Sequence, residues 1–228
     1  MASADTAAFF GLDGDPYSEI ALAHLQALFS DVKPFMGTND VPSRMPDPGK
    51  LDADWLFCFK SKTIFRPATL DSLRKAAINF HTASPRYPGS GGVNWALYNG
   101  DAGSAITVHR MTPAVDAGPI IEVAPFACAG ADTVAALIER TYRIHLLTFQ
   151  RVTSRIAAEG LEWVVAAEAA YTGPTWGPRT YRISDLEALK RIDPAMSADE
   201  IARRIRATKY RQHGPYVEVA GHRFRLEP

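Results

Sequence analysis

The chain has 228 residues, of which 46% are hydrophobic, enough for one domain with a sizeable core and room for a small appendage. Lys plus Arg and Asp plus Glu both number 25, so the formal net charge is zero. This balance argues against a partner held mainly by its phosphate charge, such as tRNA, because that binding relies on clustered basic residues. We therefore expect no nucleic-acid partner, although a local basic patch is compatible with this composition.

Cysteine usage and hydropathy exclude several other classes. Cys58 and Cys128 each lie in an apolar run and are interpreted as buried small side chains. Two such isolated residues form no disulfide framework and lack zinc-ligand spacing. No signal peptide and no apolar stretch of about 18 residues is evident. We expect a cytoplasmic protein with no membrane partner.

The first half of the chain alternates between strand-like and helix-like patterns. Apolar residues recur at helical spacing after the first strand, and later runs are apolar throughout, as in strands buried on both faces of a parallel sheet. The predicted elements are a strand at 6–12, a turn and amphipathic helix at 14–29, a surface loop at 45–54, buried strands at 54–59 and 76–80, and a connecting helix at 69–75.

The second half begins with an antiparallel pattern and ends in a separate tail. Ser197 and Glu200 form a capping box that predicts the start of a helix. The predicted elements are a loop at 85–92, a helix at 93–100, a hairpin of strands at 104–111 and 118–126, a long helix from about Asp132 to Glu159 that Gly160 ends, a Gly/Pro-rich connection at 171–182, and a terminal hairpin that turns at Ala220 and Gly221.

This order predicts an α/β fold with a Rossmann-like mixed sheet flanked by helices, followed by a small C-terminal helix and β-hairpin extension. We expect a core at 1–165 and an extension at 166–228 that serves substrate binding or dimerisation. The exposed edge of the terminal hairpin would suit pairing across a homodimer, and packing within a monomer is equally consistent.

Three polar residues are predicted to meet at the carboxyl end of a buried strand, where ligands bind in such sheets. Asn79 and His81 are two residues apart at the strand end, so both side chains can project from the same side. Asp116 lies in the turn of the following hairpin. An amide, an imidazole and a carboxylate would then surround one small cleft.

This combination suits acyl transfer to an amine. Histidine can take a proton from an attacking amine and return one to a leaving nitrogen. The Asn79 amide can donate to the oxygen that becomes negative, and the carboxylate can orient His81, stabilise its charged form or hold a relaying water. From the spacing alone, a structural role for Asn79 and His81 remains open.

The segment 78–121 resembles the signature of the folate-dependent formyltransferases, most closely the sugar N-formyltransferases. That signature is an Asn-x-His motif, a Pro-rich loop closing on Gly, a helix with a Trp-Ala centre, a strand ending in His-x-Met and an Asp-x-Gly turn. The resemblance extends over 54–160. The matching residues are Asn79, His81, Pro85, Gly89, Trp95, Ala96, His109, Met111, Asp116 and Gly118.

The resemblance implies N10-formyltetrahydrofolate as the formyl donor, no metal, and catalytic roles for Asn79, His81 and Asp116. It also implies a pterin pocket lined by the segment after the strand at 54–59 and by the turn before Asp116. The side chains of Lys60 and Lys62 would meet the glutamate tail of folate or lie on the surface. The expected donor-binding residues are Phe59, Lys60, Ser61, Lys62, Ile64 and Val115.

Several further residues are candidates for acceptor binding, each with a structural alternative. Arg86 and Tyr87 lie in the loop beside the predicted cleft, where they would touch the acceptor or brace the loop. Trp176, Arg179 and Tyr181 follow the long helix and would bind a nucleotide or pack against the core. His109 is interpreted as a strand residue rather than a metal ligand.

For the acceptor, we expect the amine of a nucleotide-linked amino sugar. The chain after Gly160 is longer than a glycinamide ribonucleotide enzyme needs, and it looks like the tail of a sugar formyltransferase. Formylation of another small amine, of the glycinamide ribonucleotide or hydroxyornithine type, is the alternative. A hydrolase that releases formate and a catalytically inactive binding module also stay open.

Overall fold

The computed structural model describes residues 3–38, 46–128 and 133–226. A six-stranded sheet forms its centre, with strand order β2-β1-β3-β4-β5-β6. The first four strands in this order are parallel, and β5 and β6 join antiparallel to β4 and to each other. The strands are β1 (Ser3–Leu12), β2 (Phe29–Gly37), β3 (Trp55–Cys58), β4 (Ala76–His81), β5 (Gly103–Arg110) and β6 (Ile120–Ala127).

Helices cover the sheet, and local sequence explains where they begin. In α1 (Pro16–Leu28), the Asp15 carboxylate accepts a hydrogen bond from the backbone N–H of Ser18, and proline occupies the first helical position. The short helices α2 (Pro67–Leu70) and α3 (Gly92–Asn99) follow β3 and β4. The long α4 (Val134–Ala170) packs along the sheet, where its Phe149, Val152 and Ile156 are fully buried.

The C-terminal extension contains α5 (Ile183–Lys190), β7 (Arg191–Ile192), α6 (Ala198–Thr208), a 3₁₀ turn at Arg211–His213, β8 (Tyr216–Val219) and β9 (His222–Arg225). The last three strands form a small sheet of order β7-β8-β9. Arg206 on α6 donates to the Leu97 carbonyl of α3, so the extension packs on the core. None of the helices in the described parts of the chain is long and apolar enough to span a membrane.

The α/β prediction with a mixed sheet and a C-terminal extension is confirmed. So are the hairpin of β5 and β6, the Ser197 cap, whose side chain accepts from the Glu200 N–H, and the terminal hairpin turn. The start predicted for the long helix, Asp132, lies outside the described residues.

Three features differ from the prediction. The turn and helix predicted at 14–29 are confirmed, with the helix at Pro16–Leu28, but an unpredicted strand, β2, begins at Phe29. The helix predicted at 69–75 is a single turn at Pro67–Leu70, followed by turns. Gly160 does leave helical geometry, with φ 70° and ψ −155°, but the chain resumes as helix to Ala170, because Leu161 and Val164 continue to pack against the core.

Candidate active site

The polar residues at the end of β4 meet those of the β5–β6 turn, as the sequence predicted. The Asn79 amide nitrogen lies 3.1 Å from Asp116 Oδ1, and His81 Nδ1 lies 3.2 Å from Asp116 Oδ2. These contacts arise because β5 pairs antiparallel with β4 and turns back into β6, which returns residue 116 to the end of β4. The predicted trio therefore forms one cluster.

Asp116 is the centre of this cluster. Besides Asn79 and His81, its carboxylate contacts Nε2 of His109 at 3.3 Å and accepts the backbone N–H of Gly89 at 2.7 Å. Burial alone would raise its pKa, but the neighbouring histidines and the Gly89 N–H outweigh this and lower the pKa of Asp116 to about 2. The carboxylate is therefore ionised at neutral pH.

The backbone of the turn between β5 and β6 has a left-handed residue and a close approach to β5. Asp116 has φ 44°, a left-handed conformation that aspartate tolerates better than most residues. A Cβ atom at Gly118 would lie 1.8 Å from the backbone oxygen of Arg110. The Asp-x-Gly spacing thus allows the turn to lie close against β5 while it directs the carboxylate at His81.

His81 has more hydrogen-bond acceptors around it than a neutral ring can satisfy. Its Nε2 lies 2.9 Å from the Tyr87 carbonyl oxygen, while Nδ1 faces Asp116. A neutral imidazole has one N–H, so one of these contacts stays repulsive until a second proton arrives. Burial lowers the pKa of His81, and the Asp116 charge opposes that shift. The Tyr87 carbonyl and the Asp116 carboxylate can therefore both accept from the ring once it has taken up a proton.

His109 is a strand residue of β5, as predicted, and its side chain also belongs to this cluster. Its Nε2 lies 3.0 Å from the Asn79 amide nitrogen, because Asn79 and His109 are register partners across β4 and β5. Its ring packs edge-on against Trp176 at 4.9 Å. The contact between His109 and Asn79 could have been predicted by pairing β5 with β4 in the antiparallel register.

A cleft of about 570 Å³ opens over the cluster, within the usual range for small-molecule sites. The segment after β3 and the turn before Asp116 form one side of it. Residues 89–91, Asn94, Ile183 and Leu186 form another part, and Tyr142 of α4 also lines it. Of the predicted donor-binding residues, the cleft is lined by Lys60, Ser61, Lys62, Ile64 and Val115.

The Phe59 ring and the ammonium group of Lys60 have partners within the protein instead of being available to a ligand in the cleft. The Phe59 ring is fully buried and stacks on His145, so it does not line the cleft. Lys60 Nζ lies 2.5 Å from Asp15 Oδ1, and the Lys60 side chain is only 6% exposed. A folate carboxylate would have to displace Asp15 to pair with Lys60, whereas Lys62 is exposed at the cleft.

The predicted acceptor-binding residues lie behind or beside the cleft rather than in its lining. The side chains of Arg86 and Tyr87 bind Asp101, and Tyr87 is buried. Trp176 packs edge-on against both site histidines, and its indole donates to the Gly118 carbonyl. The guanidinium of Arg179 stacks on Tyr181 at 4.2 Å. A direct part for these residues in acceptor binding stays a prediction.

Among the described residues, no group of three or more His, Cys, Asp or Glu side chains is arranged to hold a metal ion. The arrangement offers a carboxylate, two imidazoles and an amide at the floor of a small-molecule cleft. It can move a proton and donate a hydrogen bond to a developing negative charge.

The cluster offers groups of the kind that acyl transfer to an amine requires. Residues 48–153 match the model of the formyl transferase family. This part of the chain is therefore similar to that family, in agreement with the sequence resemblance.

Individual relatives agree with this assignment. A methionyl-tRNA formyltransferase of Agathobacter rectalis is 27% identical over 192 residues, which are 84% of this chain and 58% of that protein. The chain thus spans little more than half the length of this curated relative.

Two solved structures have the same fold over nearly the whole chain. A 4-N formyltransferase from Francisella tularensis superposes with a TM-score of 0.72 at 15% identity, covering 97% of this chain and 96% of that one. An N-formyltransferase from Helicobacter canadensis, solved with folinic acid and dTDP-3-aminofucose, has a TM-score of 0.67 at 15% identity and covers 97% and 85%.

Proposed function

We propose that this protein transfers the formyl group of N10-formyltetrahydrofolate to the amine of a nucleotide-linked amino sugar. The observation that carries this proposal is the convergence of Asn79, His81 and Asp116 at the floor of one cleft. Formyl transfer needs a proton acceptor, a proton donor and a group that binds the oxyanion, and these three residues supply them.

The reaction follows from this geometry. The acceptor amine attacks the formyl carbon, a carbon–nitrogen bond forms, and the carbonyl electron pair moves onto oxygen, which the Asn79 amide stabilises. The proton lost by the amine passes to the His81–Asp116 pair. When the intermediate collapses, the bond to the folate nitrogen breaks and the same pair returns a proton to that nitrogen, leaving a formamide and tetrahydrofolate.

The donor belongs on the side of the cleft formed by the segment after β3 and the turn before Asp116. Ser61, Ile64 and Val115 line that side, with Lys62 placed at its exposed rim for an anionic tail. The Helicobacter canadensis neighbour, whose structure contains folinic acid, supports a folate donor. Because these residues supply the proton and charge chemistry, turnover should survive exhaustive chelation.

Two features support a sugar nucleotide as acceptor rather than a charged tRNA. The zero net charge disfavours the broad basic surface that tRNA binding needs. Structural neighbours that match 97% of this chain include two N-formyltransferases, one of them solved with dTDP-3-aminofucose. We further propose that residues 166–228 form an extension that contributes to acceptor binding.

The test is folate-dependent turnover with a panel of amines, followed by the absorbance of released tetrahydrofolate. The panel contains nucleotide-linked amino sugars, glycinamide ribonucleotide, hydroxyornithine and methionyl-tRNA, with an assay lacking any amine to detect simple hydrolysis. We expect turnover with an amino sugar nucleotide. Turnover with glycinamide ribonucleotide, hydroxyornithine or tRNA alone would replace the acceptor, and no turnover with any amine would indicate a binding module.

A further inference from the structure

A second cleft, of about 690 Å³, lies next to the catalytic cleft. It is formed where α1 and α4 begin and where the chain leaves α6. Tyr142 of α4 lines both clefts, so the two are neighbours across this one side chain. The second cleft is large enough for a small organic ligand.

The acidic groups that line this cleft already have partners. The Asp15 carboxylate pairs with Lys60 at 2.5 Å and accepts hydrogen bonds from the backbone and side chain of Ser18. Glu139 accepts from the Tyr17 hydroxyl and from Arg143, both at 2.9 Å. Neither carboxylate therefore presents an unbalanced negative charge to the cleft.

The basic groups of the same cleft are not neutralised. Lys209 and Arg211 both line it, and neither has a carboxylate partner among the residues that the structure describes. Arg211 has φ 48°, an unusual conformation for arginine, and its guanidinium lies 5.1 Å from the ring of Tyr210. Among the described residues, the cleft therefore has two cations without carboxylate partners, two residues apart where the chain leaves α6.

Aromatic rings accompany these cations. Tyr17 and Tyr210 line the cleft together with Tyr142. Arginine binds phosphate oxygens in a bidentate manner, lysine binds them as a point charge, and a planar base can stack on a tyrosine face. Two cations beside three aromatic rings thus match a ligand that has both phosphates and a planar ring.

We propose that this second cleft binds the nucleoside diphosphate part of the acceptor. Arg211 and Lys209 pair with the phosphates, Tyr17 or Tyr210 faces the base, and the sugar extends past Tyr142 toward His81. This inference rests on the proposed function, since it gives the amino sugar nucleotide a place in the molecule. It also explains why a protein of zero net charge has two unpaired cations beside its catalytic cleft.

The experiment is equilibrium binding by calorimetry on the full chain. The ligands are thymidine, uridine and guanosine diphosphates, the matching unphosphorylated nucleosides, inorganic pyrophosphate and tetrahydrofolate. The test variant combines Lys209→Met and Arg211→Met. The control combines Lys50→Met and Arg155→Met, which makes the same change in charge at exposed positions away from both clefts. Thermal unfolding establishes that both variants are folded.

We expect at least one diphosphate to bind the unaltered protein and its nucleoside to bind less tightly. The test variant should bind that diphosphate at least about tenfold more weakly, because charge-assisted contacts are lost. Tetrahydrofolate binding should not change, and the control should behave like the unaltered protein. Tight pyrophosphate binding with no preference for any nucleoside diphosphate would limit the site to a simple anion and overturn the proposal.

Two outcomes separate this inference from the proposed function. Equal diphosphate binding by the test variant and the unaltered protein would overturn the second cleft as the site, while formylation of amino sugar nucleotides could still be observed. Weakened diphosphate binding in a protein that formylates no amine would uphold the site and overturn the proposed function. No diphosphate binding at millimolar concentration would overturn the inference and favour a non-nucleotide amine.

Discussion

The side-chain nitrogen of Asn79 lies 3.0 Å from Nε2 of His109, and it also lies 3.1 Å from Oδ1 of Asp116. A carboxamide nitrogen has two N–H groups, so both have partners before a substrate binds. To donate to a developing oxyanion, the Asn79 amide must give up its contact with either His109 or Asp116.

The first prediction tests whether His109 acts through Asn79. Asn79→Ala should lower kcat by about 10²–10³-fold, the usual effect of removing an oxyanion donor. His109→Phe, which keeps an aromatic ring against Trp176, should lower kcat by about tenfold because Asn79 loses one orienting partner. The double variant should be no slower than Asn79→Ala alone. Losses that multiply would show that His109 acts independently.

The second prediction concerns proton transfer. His81→Asn should lower kcat by about 10²–10⁴-fold, because the His81 ring, which contacts Oδ2 of Asp116, is the proposed proton carrier. Tetrahydrofolate binding, measured by fluorescence quenching, should be retained. His222→Asn, at an exposed position on β9, is the matched control and should leave kcat unchanged. Near-normal turnover of His81→Asn would mean that a different group moves the proton.

The third prediction concerns the turn that carries Asp116. Gly118→Ala should reduce both stability and kcat, since its methyl group would collide with the Arg110 carbonyl and displace the turn. Gly214→Ala is a suitable control because its methyl group would make only ordinary contact, 3.5 Å from the Leu226 carbonyl. Denaturant unfolding and steady-state kinetics measure the two effects. Wild-type values for Gly118→Ala would contradict the close packing of this turn.

The fourth prediction is a pH dependence of stability that originates in the core. His145 stacks parallel on Phe59 at 4.0 Å, and burial, with the Lys60 charge, lowers its pKa from 6.5 to about 3. The folded state therefore favours the neutral ring. The contribution of the neutral His145 ring to the free energy of unfolding is fully present above about pH 6.5 and is lost as the pH falls toward 3.

Replacing His145 by Phe keeps the stacking and removes the titration. The free energy of unfolding, measured between pH 7 and pH 4.5, should fall less steeply in His145→Phe than in the unaltered protein. His213→Phe, which changes an exposed histidine, should leave the slope as it was. An unchanged slope in His145→Phe would show that this histidine is protonated or exposed in the folded state.

The local chemistry of the site could be predicted from sequence because it depends on short-range pattern. Asn79 and His81 share a face of β4 by strand alternation, and Asp116 lies in a turn whose Asp-x-Gly residues permit its left-handed conformation. The all-apolar β3 and the capped start of α6 followed from the same kind of local pattern.

Other features depend on residues far apart in the chain. β2 was missed because it is an edge strand that contains Pro34 and has only two buried residues, Phe29 and Val32, so it has no long apolar run. Lys60 was expected on the surface or at a ligand, but it pairs with Asp15, 45 residues earlier, between two tyrosine rings. Burying a lysine requires a partner that local sequence does not reveal.

The sequence by itself determined the three groups that face the cleft floor, since strand period and turn chemistry act within a few residues. Only the tertiary structure decided what surrounds them. The register of β5 against β4 placed His109 on Asn79, and the return of the chain after α6 placed Lys209 and Arg211 beside the start of α1. Such neighbours are fixed by packing between distant segments, because that packing selects one register and one docking position from many that local pattern permits.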